Sequence, residues 1–116
     1  MLSHLINKRM KKELEFKIIG EDIIKVICEI YDPEIPVNIY ALGLIYDVQI
    51  SDSYDVKIIM TLTSPNCPVA ESLPAEVEQK VKALSKTNNV SVEIVFEPPW
   101  NKDMMSEEAK LELGML

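Results

Sequence analysis

Two short segments of alternating apolar and polar side chains, separated only by Ser51-Asp52-Ser53, constrain the fold of this chain more than any other feature. Leu44, Tyr46, Val48 and Ile50 alternate with Ile45, Asp47 and Gln49. After the polar break, Val56, Ile58, Met60 and Leu62 alternate with Asp55, Lys57, Ile59 and Thr61. A period of two puts each apolar set on one face of a pleated strand, and a connection this short joins antiparallel neighbours only. The segment 44–62 therefore reads as a β-hairpin whose apolar face needs cover.

The next segment supplies cover. Ala70, Leu73, Val77, Val81 and Leu84 fall three, four, four and three residues apart, on one stripe of a helix running to about Ser85. Pro74 lies within it, and an interior proline costs about 3 kcal/mol, so a kink or an irregular first turn is expected there. Asn88-Asn89 makes the return, and Val90, Val92, Ile94 and Phe96 alternate with Ser91, Glu93 and Val95 as a third strand. A strand–helix–strand unit favours a right-handed crossover with parallel strands, which makes the sheet mixed and three-stranded.

Upstream, Ile23, Ile27 and Ile30, flanked by Ile24 and Tyr31, recur at helical spacing after Gly20. Asp32-Pro33 stops this helix, expected over about 21–31, because proline excludes helical geometry from the preceding residue. Asp32 to Gly43 holds Pro33 and Pro36 without a sustained period and reads as a loop. At the other end, Glu97-Pro98-Pro99-Trp100 leaves the sheet, and Ser106 is placed to cap a short helix ending at Gly114. The order α-β-β-α-β-α describes a two-layer α+β domain with helices one and two on a single face of the sheet. The other face would carry Ile45, Ile59 and Val95, and the segment from Pro98 to the C-terminus is the expected cover for them.

With 116 residues, 47% of them hydrophobic, the chain suits one compact domain at 20–116, preceded by a basic flexible leader at 1–19. A core can form without staples, and two cysteines make no disulfide framework. Cys28 and Cys67 are read as free thiols in a reducing, cytoplasmic setting. No apolar run approaches the roughly 20 residues that span a bilayer, so no membrane role is expected. Residues 1–17 carry five bases against two acids, and the remainder carries seven bases against 17 acids. So acidic a body repels phosphate backbones, which argues against nucleic-acid binding. Leu2, Leu5, Ile6 and Met10 admit a weak amphipathic targeting helix; a flexible extension, or a start at Met10, is the preferred reading.

Chemistry concentrates where the second strand meets the second helix. Pro68 suits a first helical position, which makes Cys67 the N-cap. Unpaired N–H groups and the helix dipole there favour a thiolate. Position alone leaves two readings of Cys67 open, a reactive or metal-ligating thiolate and a small capping residue. Cys28 follows Ile24 on an apolar stripe and reads as a buried small hydrophobe. His4, the single histidine, lies in the leader, which disfavours a Cys–His nucleophilic pair. Asp32 and Glu34 flank Pro33, where they could bind a metal, orient a thiol or face water. Trp100 reads either as a partner-binding platform or as an aromatic plug at the domain edge.

Asp32-Pro33-Glu34-Ile35-Pro36, Leu42-Gly43-Leu44-Ile45-Tyr46-Asp47, Met60-Thr61-Leu62-Thr63-Ser64-Pro65-Asn66-Cys67-Pro68, and Pro98-Pro99-Trp100 with Met105-Ser106-Glu107-Glu108-Ala109-Lys110 occur in this order. Over residues 20–114 the chain thereby resembles the iron–sulfur cluster assembly domain family. That family includes the SUF-system accessory factor, the cytosolic iron–sulfur targeting factor and the phenylacetyl-CoA oxygenase accessory subunit. The resemblance implies a non-enzymatic role in maturing iron–sulfur proteins, with Cys67, Asp32 and Glu34 as the functional positions, Thr63, Pro65 and Pro68 shaping the cysteine loop, and Trp100 facing a partner. It implies no permanently bound cofactor; an iron–sulfur cluster would be held transiently, with Cys67 as a ligand. Scaffold, carrier or client proteins are the implied partners, and a homodimer is compatible with this. The family often has an acid where this chain has Ala41, which puts a third acidic site residue in doubt. An oxygenase accessory subunit and a Cys67-dependent thiol enzyme are the alternative readings.

Overall fold

A computed structural model describes residues 2–32, 35–63 and 72–115, with side chains from Met10 onward. Its elements are α1 (Leu2–Ile27), β1 (Ile45–Ile50), β2 (Val56–Met60), α2 (Ser72–Lys82), β3 (Val90–Ile94), a single 3₁₀ turn at Lys102–Met104 and α3 (Glu107–Glu112). The sheet runs β1-β2-β3. β1 pairs antiparallel with β2 through Val48↔Ile58 and Ile50↔Val56. β3 lies parallel to β2 through Val56↔Val90, Ile58↔Val92 and Met60↔Ile94. The mixed sheet and the α-β-β-α-β-α order are those expected from the alternation and the helical stripe. Among the described residues no helix is long and apolar enough to cross a membrane.

Helices α1 and α2 close the apolar face. Ile19, Ile23 and Ile27 of α1 and Leu73, Val77 and Val81 of α2 share one buried cluster with Val56, Ile58, Met60 and Val90 of the sheet. Pro74 lies near the start of the described part of α2. The N-cap at Cys67 and the helical start at Pro68 lie outside the described residues. α2 ends at Lys82 rather than near Ser85, and its exit is tied by Thr87 Oγ1 donating to Leu84 O at 2.9 Å.

α1 differs from the helix expected at 21–31 at both ends. It runs through Gly20, whose absent side chain faces open space. Glycine inside a helix costs only about 1 kcal/mol, and the Lys-, Glu- and Leu-rich stretch before it favours helix. Phe16 meets Tyr54 as a tilted ring pair with centroids 5.6 Å apart, and the Tyr54 hydroxyl donates to Glu15 at 2.8 Å. That bond raises the Tyr54 pKa above its ordinary value, with burial adding to it. Tyr54 holds φ 63° at the end of the hairpin turn, a conformation uncommon outside glycine, and these contacts fasten the turn to α1. At its other end α1 tightens through Glu29 N–H to Val26 O and Ile30 N–H to Ile27 O, then gives way to an extended bridge between Tyr31 and Asn38.

The first strand carries a second correction. Ile45 pairs with Met60 and Asp47 with Ile59, so the strand bulges at Tyr46. A bulge inserts an unpaired residue and reverses the facing of what precedes it. Ile45, expected on the outer face, packs against the core. Tyr46, expected inside, reaches out to donate to Pro98 O at 2.6 Å.

The C-terminal segment, expected as the cover of the outer face, touches the sheet through Tyr46 but sends Met105 and Ala109 into the main core. Met105 and Ala109 are buried in the main core together with Leu42 and Leu44, and Leu113 packs against them. α3 meets no strand. The expected cap is present, with Ser106 Oγ accepting from Ala109 N–H at 3.1 Å, and Gly114 follows α3 at φ 72°. The loop from Asp32 to Gly43 supplies the surface on which this segment seats. Val37, Ile39 and Leu42 are each no more than 1% exposed. At roughly 1.5–3 kcal/mol per buried aliphatic side chain, this stretch is part of the core although it has no regular structure.

Candidate functional site

Cys67, Pro65, Pro68 and Glu34 lie outside the described residues. Of the residues singled out in the sequence, Asp32, Thr63 and Trp100 are described, together with the framework that carries the two segments between them.

Asp32 is 5% exposed. Its Oδ1 accepts from Ile35 N–H at 3.0 Å while its own N–H donates to Val37 O at 3.3 Å. A carboxylate that bonds a backbone N–H a few residues on substitutes for a backbone turn, and burial is tolerated because the charge is hydrogen-bonded. Asp32 thus has a structural role, and of the readings open for it, facing water is the one its burial contradicts. Asp32→Ala leaves the Ile35 N–H without this acceptor and is expected to lower stability by about 1–3 kcal/mol. Asp32→Asn keeps an oxygen in place and is expected to lose less. Urea unfolding of the pair checks this; an alanine variant as stable as the natural chain would show that the carboxylate braces nothing.

From Asp32 a chain of backbone hydrogen bonds leads to the end of the central strand. Ile39 N–H donates to Ile30 O at 2.9 Å, Leu44 N–H to Ile39 O at 3.1 Å, and Thr61 N–H to Leu44 O at 2.8 Å. Thr61 and Leu62 are buried and Thr63 is half-buried. The loop holding Asp32 is therefore laced to the strand end from which the chain enters the Cys67 segment.

On its other side the loop is sealed by the C-terminal segment. Trp100 Nε1 donates to Leu42 O at 2.7 Å, and Ser106 N–H donates to Ala41 O at 2.8 Å. Asn38 Oδ1 accepts from Ala41 N–H at 2.8 Å. The indole is half-buried and packs against the core, the geometry of the plug among the two readings of Trp100. Sequence reasoning passed over Asn38 and Gly43 as framework residues. A glycine between two leucines was the available signal for Gly43, which takes φ 81° beside the Met104 carbonyl. Tyr31 and Tyr40 of the same loop stay exposed.

Cys28 lies just past the last residue of α1 and is half-buried, not a member of the core. It is a free cysteine, and burial pushes its thiol above the ordinary value. That lowers its thiolate fraction and its reactivity.

A mixed three-stranded sheet, two helices over one face, and a buried-aspartate loop laced to the end of the central strand define a small α+β domain. The family model described as iron-sulfur cluster assembly protein matches residues 20–94. Over 102 residues the chain is 51% identical to the Fe-S protein maturation auxiliary factor of Porphyromonas gingivalis, which covers 88% of this chain and 97% of that one. It is 38% identical over 86 residues to the Fe-S protein maturation auxiliary factor SufT of Staphylococcus aureus, covering 74% of this chain and 98% of that one. Among solved structures, the domain of unknown function DUF59 from Bacillus anthracis matches with a TM-score of 0.80 at 33% identity, covering 86% of this chain and 95% of that one. The chain belongs to the iron–sulfur cluster assembly protein family.

Proposed function

We propose that this protein is a non-enzymatic auxiliary factor in the maturation of iron–sulfur proteins, acting in the cytoplasm through a surface centred on Cys67. The observation that carries the reading is the laced framework, which ties the Asp32 loop to the strand end leading into the Cys67 segment. Near-full-length similarity to relatives named as maturation auxiliary factors supports the role.

In this reading the cluster is cargo. Cys67 offers a soft thiolate, the ligand type that iron–sulfur clusters take. Four ligands are usual, so one cysteine engages a cluster only together with carboxylates, a small thiol or thiolates of a scaffold, carrier or client. Glu34 and Asp32 are the acids proposed for that purpose, and Asp32 Oδ1 also accepts from Ile35 N–H. Such incomplete ligation suits transfer rather than storage. The single histidine, His4, lies far from Cys67 in sequence, which disfavours a Cys–His nucleophilic pair. Anaerobic reconstitution with iron and sulfide in the presence of a small thiol tests the proposal. A visible charge-transfer absorption that is labile to chelators and lost in Cys67→Ser is expected. Absence of any Cys67-dependent absorption would favour the thiol-enzyme or oxygenase-subunit reading.

A further inference from the structure

The N-terminal half of α1 projects from a domain whose principal extents are 56 × 30 × 24 Å. Along it Met10, Leu14 and Ile18 form an apolar stripe at four-residue spacing, 60%, 57% and 38% exposed. The opposite side of the helix is used internally, by the Lys12–Asp52 ion pair, the Phe16 ring and the buried Ile19. The stripe is thus an unpartnered apolar face on a part of α1 that the domain leaves largely exposed.

We infer that this stripe is the contact surface for a second copy of the chain, with the two α1 helices antiparallel about a two-fold axis at Leu14. The stripe is symmetric about that residue, so the pairing sets Leu14 on Leu14 and Met10 on the second copy's Ile18, the self-complementarity that an isologous interface requires. The flanking charges agree with it. At 100° per residue, Lys11 and Glu15 lie on one side of the stripe and Glu13 and Lys17 on the other. An antiparallel two-fold brings like flanks together, which places Lys11 near the second copy's Glu15 and Glu13 near its Lys17. Among the described residues neither Lys11, Glu13 nor Lys17 is in an ion pair within the chain. Larger-scale charge points the same way. Residues 1–17 hold five bases against two acids and would lie along the second copy's body, where seven bases face 17 acids. A cleft of about 270 Å³ lined by Ile18, Tyr54 and Lys86 opens at the end of the stripe, where this register delivers the second copy's Met10. An anionic membrane, the other surface a basic amphipathic helix can meet, would repel that acidic body.

Light scattering and sedimentation of the full chain test the inference. A dimer is expected, and Leu14→Asp is expected to weaken it at least about tenfold with an unchanged circular dichroism spectrum. Glu13→Lys and Lys17→Glu are each expected to associate poorly alone but to form a heterodimer when mixed, because every charge pair across that interface is then attractive. Mixing separates a contact between copies from any effect of like charges four residues apart within one helix. Leu14→Cys is expected to form an intermolecular disulfide identified by peptide mass. A monomer at about 100 µM, far above the range of specific association, would overturn the proposal. So would a dimer indifferent to Leu14→Asp, or Leu14-dependent binding of a monomer to phosphatidylglycerol vesicles.

Discussion

Gly43→Ala is expected to lower the melting temperature by roughly 10 °C or more, from a loss of about 2–5 kcal/mol. Gly43 adopts φ 81°, and a Cβ there would stand 2.9 Å from the Met104 carbonyl carbon and closer still to its oxygen. The left-handed conformation alone costs about 1–2 kcal/mol for an L side chain. The clash is with backbone, so no rotamer change relieves it. Movement of Met104 would drag the buried Met105 and the Ser106 N–H bond to Ala41 O, which join the C-terminal segment to the loop. The damage should therefore reach the framework of the site as well as the core. Thermal unfolding followed by circular dichroism checks this, and a melting temperature within about 2 °C of the natural chain would mean that loop and tail are not held against each other as described.

Cys67→Ser is expected to reduce client maturation at least about tenfold, the effect of about 1.4 kcal/mol or more on a transfer step, while leaving stability unchanged. Serine is close in size and is a good helix N-cap, so the substitution spares whatever capping role the position has. It replaces a polarisable thiolate with a hard hydroxyl that stays protonated at neutral pH and competes poorly for iron and sulfide-rich clusters. A purely capping cysteine would make the variant indistinguishable from the natural chain in both respects.

The parts of the fold legible in the sequence are those with a period. Alternation around Ser51-Asp52-Ser53 specified the hairpin, and the three-and-four spacing from Leu73 to Val81 specified the face of α2 because only that stripe is buried. Ser106 was legible because capping is local chemistry. What was not legible depends on distant partners. The bulge at Tyr46 leaves the apolar pattern of β1 intact while moving Ile45 to the core, and only the pairing with Met60 shows it. Val37, Ile39 and Leu42 follow no period, since their burial comes from a loop folded back on Ile30 and laced to Thr61. Gly20 suggested a boundary that a long helix overrides at small cost. For the site, residue types and motif order pointed to Cys67 and to the acids at Asp32 and Glu34. The burial of Asp32 and its bond to Ile35 could not be read from a segment of prolines and acids.

The central claim is that Cys67 acts on clusters destined for other proteins. Its most direct test is the iron and acid-labile sulfide content of a cluster-dependent enzyme purified from cells lacking this chain and supplied with either the natural protein or Cys67→Ser at matched levels. Full cluster content is expected with the natural protein and a content near that of the unsupplied cells with Cys67→Ser, the two proteins having equal melting temperatures. Equal cluster content with both, at equal stability and abundance, would contradict it.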